Sequence, residues 1–330
     1  MKRLALVLCF LPALLSCGKS PDLLWRYKTG GPIYSSPAVA GQNLVIASMD
    51  GFLNALNLKT GKLAWKTQIG VQSIGTPLVR GDSIYVGGGK GDMFRLDSTT
   101  GEIRWQFHTG NSMAYKPCAD DSGIYFGSRD YRFYKLSYEG SKLWDYKTGY
   151  YLWGTCSFYK DLVVSSAWDF NIYAFEKTTG AVRWKYSAGI QIYGSPEILN
   201  GEVLFATHRK MTRLDAETGK VLGETVTGYL DEITIWNGFL WTNDGGLNKR
   251  SLDGTLIGSA AFRATTLVKP VSTGKYFVVA GDNILYGVSP ELKILWKFKA
   301  DDDFWRTGVV AGDAYYIGNR DYCVYAVRLP

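Results

Sequence analysis

The sequence contains very few histidines and no basic stripe. Only two of its 330 residues are histidines, His108 and His208. Neither has an acid and a nucleophile at a recognisable spacing, so the sequence gives no sign of a hydrolytic triad. The 37 lysines and arginines are scattered among 30 aspartates and glutamates. Because nucleic-acid binding uses a concentrated basic face, we expect no nucleic-acid partner.

The chain also lacks a long hydrophobic run at its N-terminus, where residues 4–15 are mostly apolar. A membrane-spanning helix needs ~20 apolar residues, so this segment is too short to span a bilayer. Lys2 and Arg3 precede it, and Ser16 and Cys17 follow at once. This order of positive, apolar and small residues predicts an export signal over residues 1–16.

Residues 14–17, Leu-Leu-Ser-Cys, resemble the lipobox of bacterial lipoproteins. The resemblance implies cleavage before Cys17, acylation of Cys17 and a lipidated linker over residues 17–21 that anchors the chain to a membrane. Gly18, rather than Asp, after the cysteine implies sorting to the outer membrane, with the protein facing the periplasm. The alternative is an ordinary secretory signal with an incidental cysteine.

Cysteine is scarce in the remainder, which keeps only Cys118, Cys156 and Cys323. An odd number allows at most one disulfide and leaves one thiol over. A domain of this size does not need a disulfide to hold its core, so three small buried hydrophobic residues are the alternative.

The sequence repeats itself about every 40 residues. In four repeats a Gly is followed four residues later by a Trp, as in Gly61 and Trp65, and Trp25 and Trp296 take the same position in two others. Gly223 and Gly258 take the corresponding position in two weaker repeats. The six tryptophans that we assign to this repeated structural position are Trp25, Trp65, Trp105, Trp144, Trp184 and Trp296.

Each repeat contains four short strand-like runs separated by Gly, Asn and Asp. In the first they are residues 38–40, 44–48, 52–57 and 62–67. Short runs bounded by turn residues are typical of antiparallel hairpins, and four of them per repeat indicate the blade of a propeller.

A second marker stands just before the first strand of each repeat and occurs eight times. Its members are Ser36-Pro37, Thr76-Pro77, Lys116-Pro117, Thr155-Cys156, Ser195-Pro196, Ile233-Thr234, Lys269-Pro270 and Thr307-Gly308. The last repeat ends at Pro330 with three strands, and an unassigned strand around residues 24–28 precedes the first repeat. We therefore predict an all-β fold, a single eight-bladed β-propeller over residues 22–330, whose ring is closed by an N-terminal strand joining the last blade.

Residues 50–65, and in part residues 169–184, resemble the repeat of pyrroloquinoline-quinone-type (PQQ-like) propellers. An eight-bladed propeller on a lipid-anchored exported chain is similar to the outer-membrane protein assembly lipoproteins of the BamB family. The resemblance implies a non-enzymatic envelope lipoprotein that serves as a scaffold for protein–protein interaction. It also implies envelope protein partners, with the β-barrel assembly machinery as the expected one, and no cofactor.

Two other classes of function stay open. A PQQ- or metal-dependent oxidoreductase would share the repeat, but the quinoenzymes carry adjacent cysteines near the cofactor and a calcium site. Cys118, Cys156 and Cys323 are far apart in sequence. Residues 301–303, three aspartates, could offer oxygen ligands to calcium, although an acidic run is more often a solvated loop. A small-ligand or glycan-binding propeller is the other alternative, and we assign no catalytic or metal-ligating residue.

The most informative surface is the side of the ring where the links into the first strands and the links between second and third strands open. Aromatic and arginine side chains collect there, and these residue types are enriched at the centres of protein interfaces. The alternative is that they plug the central channel or pack between blades. The predicted binding face comprises Tyr34, Tyr115, Trp153, Tyr193, Trp305, Arg306, Arg129 and Arg320.

Overall fold

The computed structural model describes residues 20–70, 75–113, 115–152, 154–228, 232–243, 245–262 and 268–330. All regular elements in these ranges are β-strands, β1 to β32. The same ranges contain no helix long and apolar enough to cross a membrane. The predicted signal over residues 1–16 and the predicted lipidation site Cys17 lie outside them.

The strands form eight four-stranded antiparallel sheets, and each sheet is one blade. Blade 1 contains β2 (Ala38–Ala40), β3 (Asn43–Ala47), β4 (Phe52–Asn57) and β5 (Leu63–Gln68). Blade 2 contains β6 (Leu78–Arg80), β7 (Ser83–Gly87), β8 (Asp92–Asp97) and β9 (Ile103–His108). Blade 3 contains β10 (Cys118–Asp120), β11 (Gly123–Gly127), β12 (Arg132–Leu136) and β13 (Lys142–Lys147). Blade 4 contains β14 (Ser157–Tyr159), β15 (Leu162–Ala167), β16 (Asn171–Glu176) and β17 (Val182–Ser187).

The second half of the ring repeats this plan. Blade 5 contains β18 (Glu197–Leu199), β19 (Glu202–Ala206), β20 (Lys210–Asp215) and β21 (Val221–Val226). Blade 6 contains β22 (Ile233–Trp236), β23 (Phe239–Thr242), β24 (Gly246–Arg250) and β25 (Leu256–Ala261). Blade 7 contains β26 (Val271–Ser272), β27 (Phe277–Gly281), β28 (Ile284–Val288) and β29 (Ile294–Lys299). Blade 8 contains β30 (Val309–Ala311), β31 (Ala314–Gly318), β32 (Cys323–Arg328) and β1 (Leu23–Lys28).

The N-terminal strand closes the ring, as the strand count predicts. The order in blade 8 is β1-β32-β31-β30, and β1 pairs antiparallel with β32 through Trp25 opposite Ala326 and Lys28 opposite Cys323. The predicted all-β, eight-bladed propeller closed by its N-terminal strand is therefore confirmed.

The repeated tryptophans join each blade to the next. Each lies in the fourth strand of its blade, and in five blades the indole Nε1 donates a hydrogen bond to a backbone carbonyl of the following blade. The pairs are Trp25 with Leu58 at 2.8 Å, Trp65 with Ser98 at 3.3 Å, Trp105 with Tyr138 at 2.9 Å, Trp144 with Lys177 at 3.0 Å and Trp184 with Ala216 at 3.0 Å. Trp296 is the exception, because the next blade, blade 8, takes its fourth strand β1 from the N-terminus and has no turn between β32 and β1. The Trp296 indole packs edge-on against Tyr276, with ring centroids 6.1 Å apart.

The core lies between neighbouring blades and is supplied mainly by their second and third strands. Val45 and Leu53 of blade 1, for example, pack in one fully buried cluster with Ile84 and Val86 of blade 2. The fourth strands alternate between exposed and half-buried residues, as the solvent-facing edge of a blade should.

Because strands alternate in direction, the links from fourth to first strands and the links between second and third strands share one side of the ring. We call this side the front face and the other side the back face.

Candidate functional site

The links of the front face are fixed by a repeated aspartate. In blades 1, 3 and 4 this residue follows the second strand, and its carboxylate accepts the backbone N–H of a Gly in the link that leads into the same blade. The pairs are Asp50 with Gly30 at 2.9 Å, Asp130 with Gly110 at 3.0 Å and Asp169 with Gly149 at 2.8 Å. Threonines beside these glycines, such as Thr109, donate to backbone carbonyls of the adjoining links. The side chains on these links are therefore presented by an ordered backbone.

Seven of the eight residues of the predicted binding face lie on front-face links, and the eighth, Trp153, lies outside the described residues. The structure brings five of the seven into two groups, and the other two, Tyr115 and Arg306, pair with each other. One surrounds Trp305, and the other surrounds Tyr193.

The first group is built on Trp305, whose indole is 49% exposed. Tyr34 packs edge-on against it with centroids 5.6 Å apart, and the Arg320 guanidinium lies 5.5 Å from the indole centroid. Arg320 also approaches the Asp303 carboxylate at 3.9 Å. The arrangement holds an exposed tryptophan in place between an aromatic ring and a cation, as in a protein-binding hot spot.

Arg306 and Tyr115 cross the mouth of the central channel from blade 8 to blade 3. The guanidinium lies 5.6 Å from the Tyr115 ring centroid, and Arg306 Nε donates to the Tyr34 carbonyl at 3.3 Å. Burial raises the pKa of the Tyr115 phenol well above its usual range, and the nearby Arg306 charge opposes the shift only in part. Both residues line the cavity of the central channel.

The second group is a continuous row of rings across blades 3 to 5, which we call the aromatic arc. Adjacent ring centroids lie 4.4 to 5.4 Å apart. The Arg129 guanidinium lies 5.7 Å from the Tyr151 ring, and Tyr193 stacks on the His208 ring at 4.4 Å. Its members, in order, are Tyr131, Tyr150, Tyr151, Trp168, Tyr193 and His208.

Within this group, the predicted binding face includes Tyr193 and Arg129, and the sequence also places His208 on a front-face link between second and third strands. Tyr131, Tyr150, Tyr151 and Trp168 were missed because the prediction sampled one fixed position per link. A search for all aromatics in the front-face links would have found them, since Tyr150 and Tyr151 directly follow Thr148 and Gly149. Tyr131 is 36% exposed and Tyr150 is 40% exposed, so the arc reaches solvent at its blade 3 end.

The sequence markers before the first strands meet around the central channel. They line a cavity of about 540 Å³, with one polar side chain from each blade. We call this set the polar ring. Its members are Ser36, Thr76, Lys116, Thr155, Ser195, Glu232, Lys269 and Thr307, where Glu232 is the neighbour of the blade 6 marker.

Two of the three cysteines are joined. Cys118 and Cys156 form a disulfide between blades 3 and 4, with Cα atoms 5.9 Å apart, and Cys323 is a free, buried thiol. The reading of all three as unlinked hydrophobic residues is therefore wrong, whereas the limit of one disulfide and one remaining thiol is confirmed.

A quinone site with calcium does not fit the residues that the structure describes. The linked cysteines are separated by 38 positions rather than adjacent, and the described ranges hold no group of three or more side chains placed to ligate a metal. In the acidic run, Asp301 pairs with Arg26 at 2.6 Å and Asp303 approaches Arg320. Among the side chains of the described residues, His108 forms a hydrogen bond only with the Asp92 carboxylate, at 2.8 Å.

Many solved structures are similar to the chain, and three of them match it over most of its length. BamB from Moraxella catarrhalis has a TM-score of 0.78 at 16% identity, covering 94% of this chain and 100% of its own. The computationally designed Ika8 protein has a TM-score of 0.82 at 13% identity, covering 94% and 100%. A europium-containing methanol dehydrogenase has a TM-score of 0.74 at 14% identity, covering 90% and 85%. At these identities the likeness shows the fold alone.

A comparison with curated proteins finds no match to this sequence. The family model described as outer membrane protein assembly factor BamB matches residues 19–150 and 132–283. These two overlapping segments span well over half of the chain. The chain therefore belongs to the family of the outer membrane protein assembly factor BamB.

Proposed function

We propose that this protein is a non-catalytic scaffold that supports the assembly of outer-membrane β-barrel proteins by docking another protein on its front face. The observation that carries the proposal is the aromatic arc with Arg129 above Tyr151. Membership of the BamB family supports the same role.

The arc has the chemistry of a protein interface. Tyr, Trp and Arg offer large contact areas with polar ends, and Tyr and Trp lose little conformational entropy on binding. The ring contacts and the aspartate-fixed links hold these side chains in place before a partner arrives. Preorganisation of this kind lowers the cost of association.

We place the protein in the bacterial envelope, anchored through Cys17 to the outer membrane and facing the periplasm. The signal-like N-terminus and the lipobox support this location. The Cys118–Cys156 disulfide supports it independently, because disulfides persist in oxidising compartments and are rare in the cytosol. A quinone-dependent oxidoreductase has only the shared fold in its favour.

Site-specific photo-crosslinking in envelope membranes tests the docking role. A photoreactive residue at Tyr150, on the front face, should form an adduct with a component of the β-barrel assembly machinery. The matched control is the same residue at Lys59, which is exposed on the back face in the turn between β4 and β5. Equal adducts from both positions, or none from Tyr150, would contradict the proposal. A glycan-binding module, the remaining alternative, would give no protein adduct at Tyr150.

A further inference from the structure

The charges of the polar ring in the central channel are unevenly matched. Lys269 is well paired, with Nζ 2.5 Å from the Glu197 carboxylate and 3.8 Å from the Glu232 carboxylate. Burial alone would lower the pKa of Lys269, but these two carboxylates outweigh it and raise that pKa. Both acids are therefore already engaged by a cation.

Lys116 stands in the same channel without such a partner. Within the described residues its ammonium makes no hydrogen bond or ion pair. The surrounding protein, and then the charge of Lys269, lower the pKa of Lys116. Lys116 is exposed within the channel, so its ammonium is accessible, and an anion beside it would gain a charge-assisted hydrogen bond.

Arg306 adds, at the channel mouth, a second cation that has no carboxylate partner among the described residues. Its contacts are the Tyr115 ring and the Tyr34 carbonyl, and no carboxylate within the described ranges forms an ion pair with it. Lys116, Lys269 and Arg306 therefore face only Glu197 and Glu232 across the described part of the channel. The cations are in excess.

Hydroxyl groups of the polar ring complete the set of donors. Thr76 Oγ1 accepts the Ser36 N–H at 3.1 Å, and Ser195 Oγ accepts the Thr155 N–H at 2.9 Å. A hydroxyl that accepts a backbone N–H still has its own hydrogen to donate. The cavity of about 540 Å³ is the size of a small-molecule site.

We infer that the central channel is a binding site for a small oxyanion, a phosphate or carboxylate group held by Lys116, Arg306 and the hydroxyls of the polar ring. Charge-assisted hydrogen bonds from ammonium, guanidinium and hydroxyl donors are the contacts that recognise such groups. Tyr193 of the aromatic arc also lines this cavity, but none of the groups that we assign to the anion belongs to the arc. The anion site can therefore be tested separately from the docking role.

Isothermal titration of the purified protein with inorganic phosphate, and separately with malonate, tests the inference. We expect saturable binding of one of the two with one ion per chain, and the ion that binds identifies the class. Lys116→Met should weaken that binding by at least about tenfold, because it removes the unpaired charge and keeps the length of the side chain. Lys90→Met is the matched control, since Lys90 is exposed on a front-face link but does not line the channel.

The two variants distinguish binding in the channel from binding elsewhere on the protein. Binding that is lost in Lys116→Met and kept in Lys90→Met supports the site. Equal binding by the wild type and Lys116→Met, or no binding of either ion up to about 10 mM, overturns it. Arg306→Gln provides a second variant should Lys116→Met alter the thermal unfolding midpoint.

Discussion

At the scale of single residues, the contact between a repeated tryptophan and a glycine of the next blade organises the ring. Gly101 lies at φ 76°, and a Cβ there would come within 2.4 Å of the Trp65 ring. Glycine is therefore required at this position for two reasons: the backbone is left-handed, and the Trp65 indole lies where a Cβ would be. The sequence predicts only the first requirement, because the second depends on a neighbouring blade.

Gly101→Ala should destabilise the protein far more than Gly41→Ala. Both glycines have positive φ, but a Cβ at Gly41 meets nothing within 4 Å. We expect a loss of about 1 kcal/mol for Gly41→Ala from the backbone alone and about 2–4 kcal/mol for Gly101→Ala, where overpacking adds to it. Urea unfolding midpoints measure the difference, and equal midpoints for the two variants would contradict the account.

The thiol of Cys323 should be unreactive in the folded protein. Burial, and then the nearby Asp321 carboxylate, raise the pKa of Cys323 to about 11. Since the thiolate is the nucleophile, almost no reactive form exists at neutral pH. Peptide mapping after iodoacetamide treatment should find Cys323 unmodified in native protein and modified in urea. Rapid labelling of native protein would show that the thiol is accessible.

At the scale of elements, the disulfide joins the start of the first strand of blade 3 to the residue before the first strand of blade 4. Cys118 and Cys156 enclose 38 positions of sequence. Closing a loop of this length stabilises the fold by about 2–4 kcal/mol through the unfolded state. Reduction should lower the unfolding free energy by that amount in wild type.

The double variant Cys118→Ser, Cys156→Ser is the control for this prediction. It should unfold at the same urea concentration with and without reductant, close to the midpoint of reduced wild type. If reductant shifts the double variant equally, the disulfide is not the source of the effect.

The elements themselves were predictable because each blade repeats one local pattern. Turn residues bound every short strand, and the tryptophan position sets the period, so strand count and closure follow from sequence alone. The cysteine pairing was not predictable, because the three cysteines allowed several arrangements and sequence carries no distances. The front-face links differ in sequence from blade to blade, so Tyr150, Tyr151 and Trp168 had no repeated position to identify them.

At the scale of the whole molecule, ring closure creates the central channel and its polar ring, whereas the aromatic arc lies on the consecutive blades 3 to 5. Arg306 and Tyr115 meet over the channel although they lie in blades 8 and 3, and Lys269 of blade 7 reaches Glu197 of blade 5. No local pattern predicts such contacts. The aromatic arc reaches the channel only through Tyr193, and its other members lie outside the cavity that the polar ring lines, so one face offers two surfaces of different chemistry.

The central claim is that the front face supports outer-membrane barrel assembly, and the level of barrel proteins in the outer membrane tests it most directly. A strain lacking this protein is complemented with one of three forms of it. These are the wild type, a front-face double variant that carries both Tyr131→Ala and Tyr150→Ala, and a back-face double variant that carries both Lys59→Ala and Lys62→Ala. All four positions are solvent-facing, so folding should be preserved. We predict that wild type and the back-face variant restore barrel-protein levels and that the front-face variant does not. Normal levels in the deletion strain, or full restoration by the front-face variant, would contradict the account.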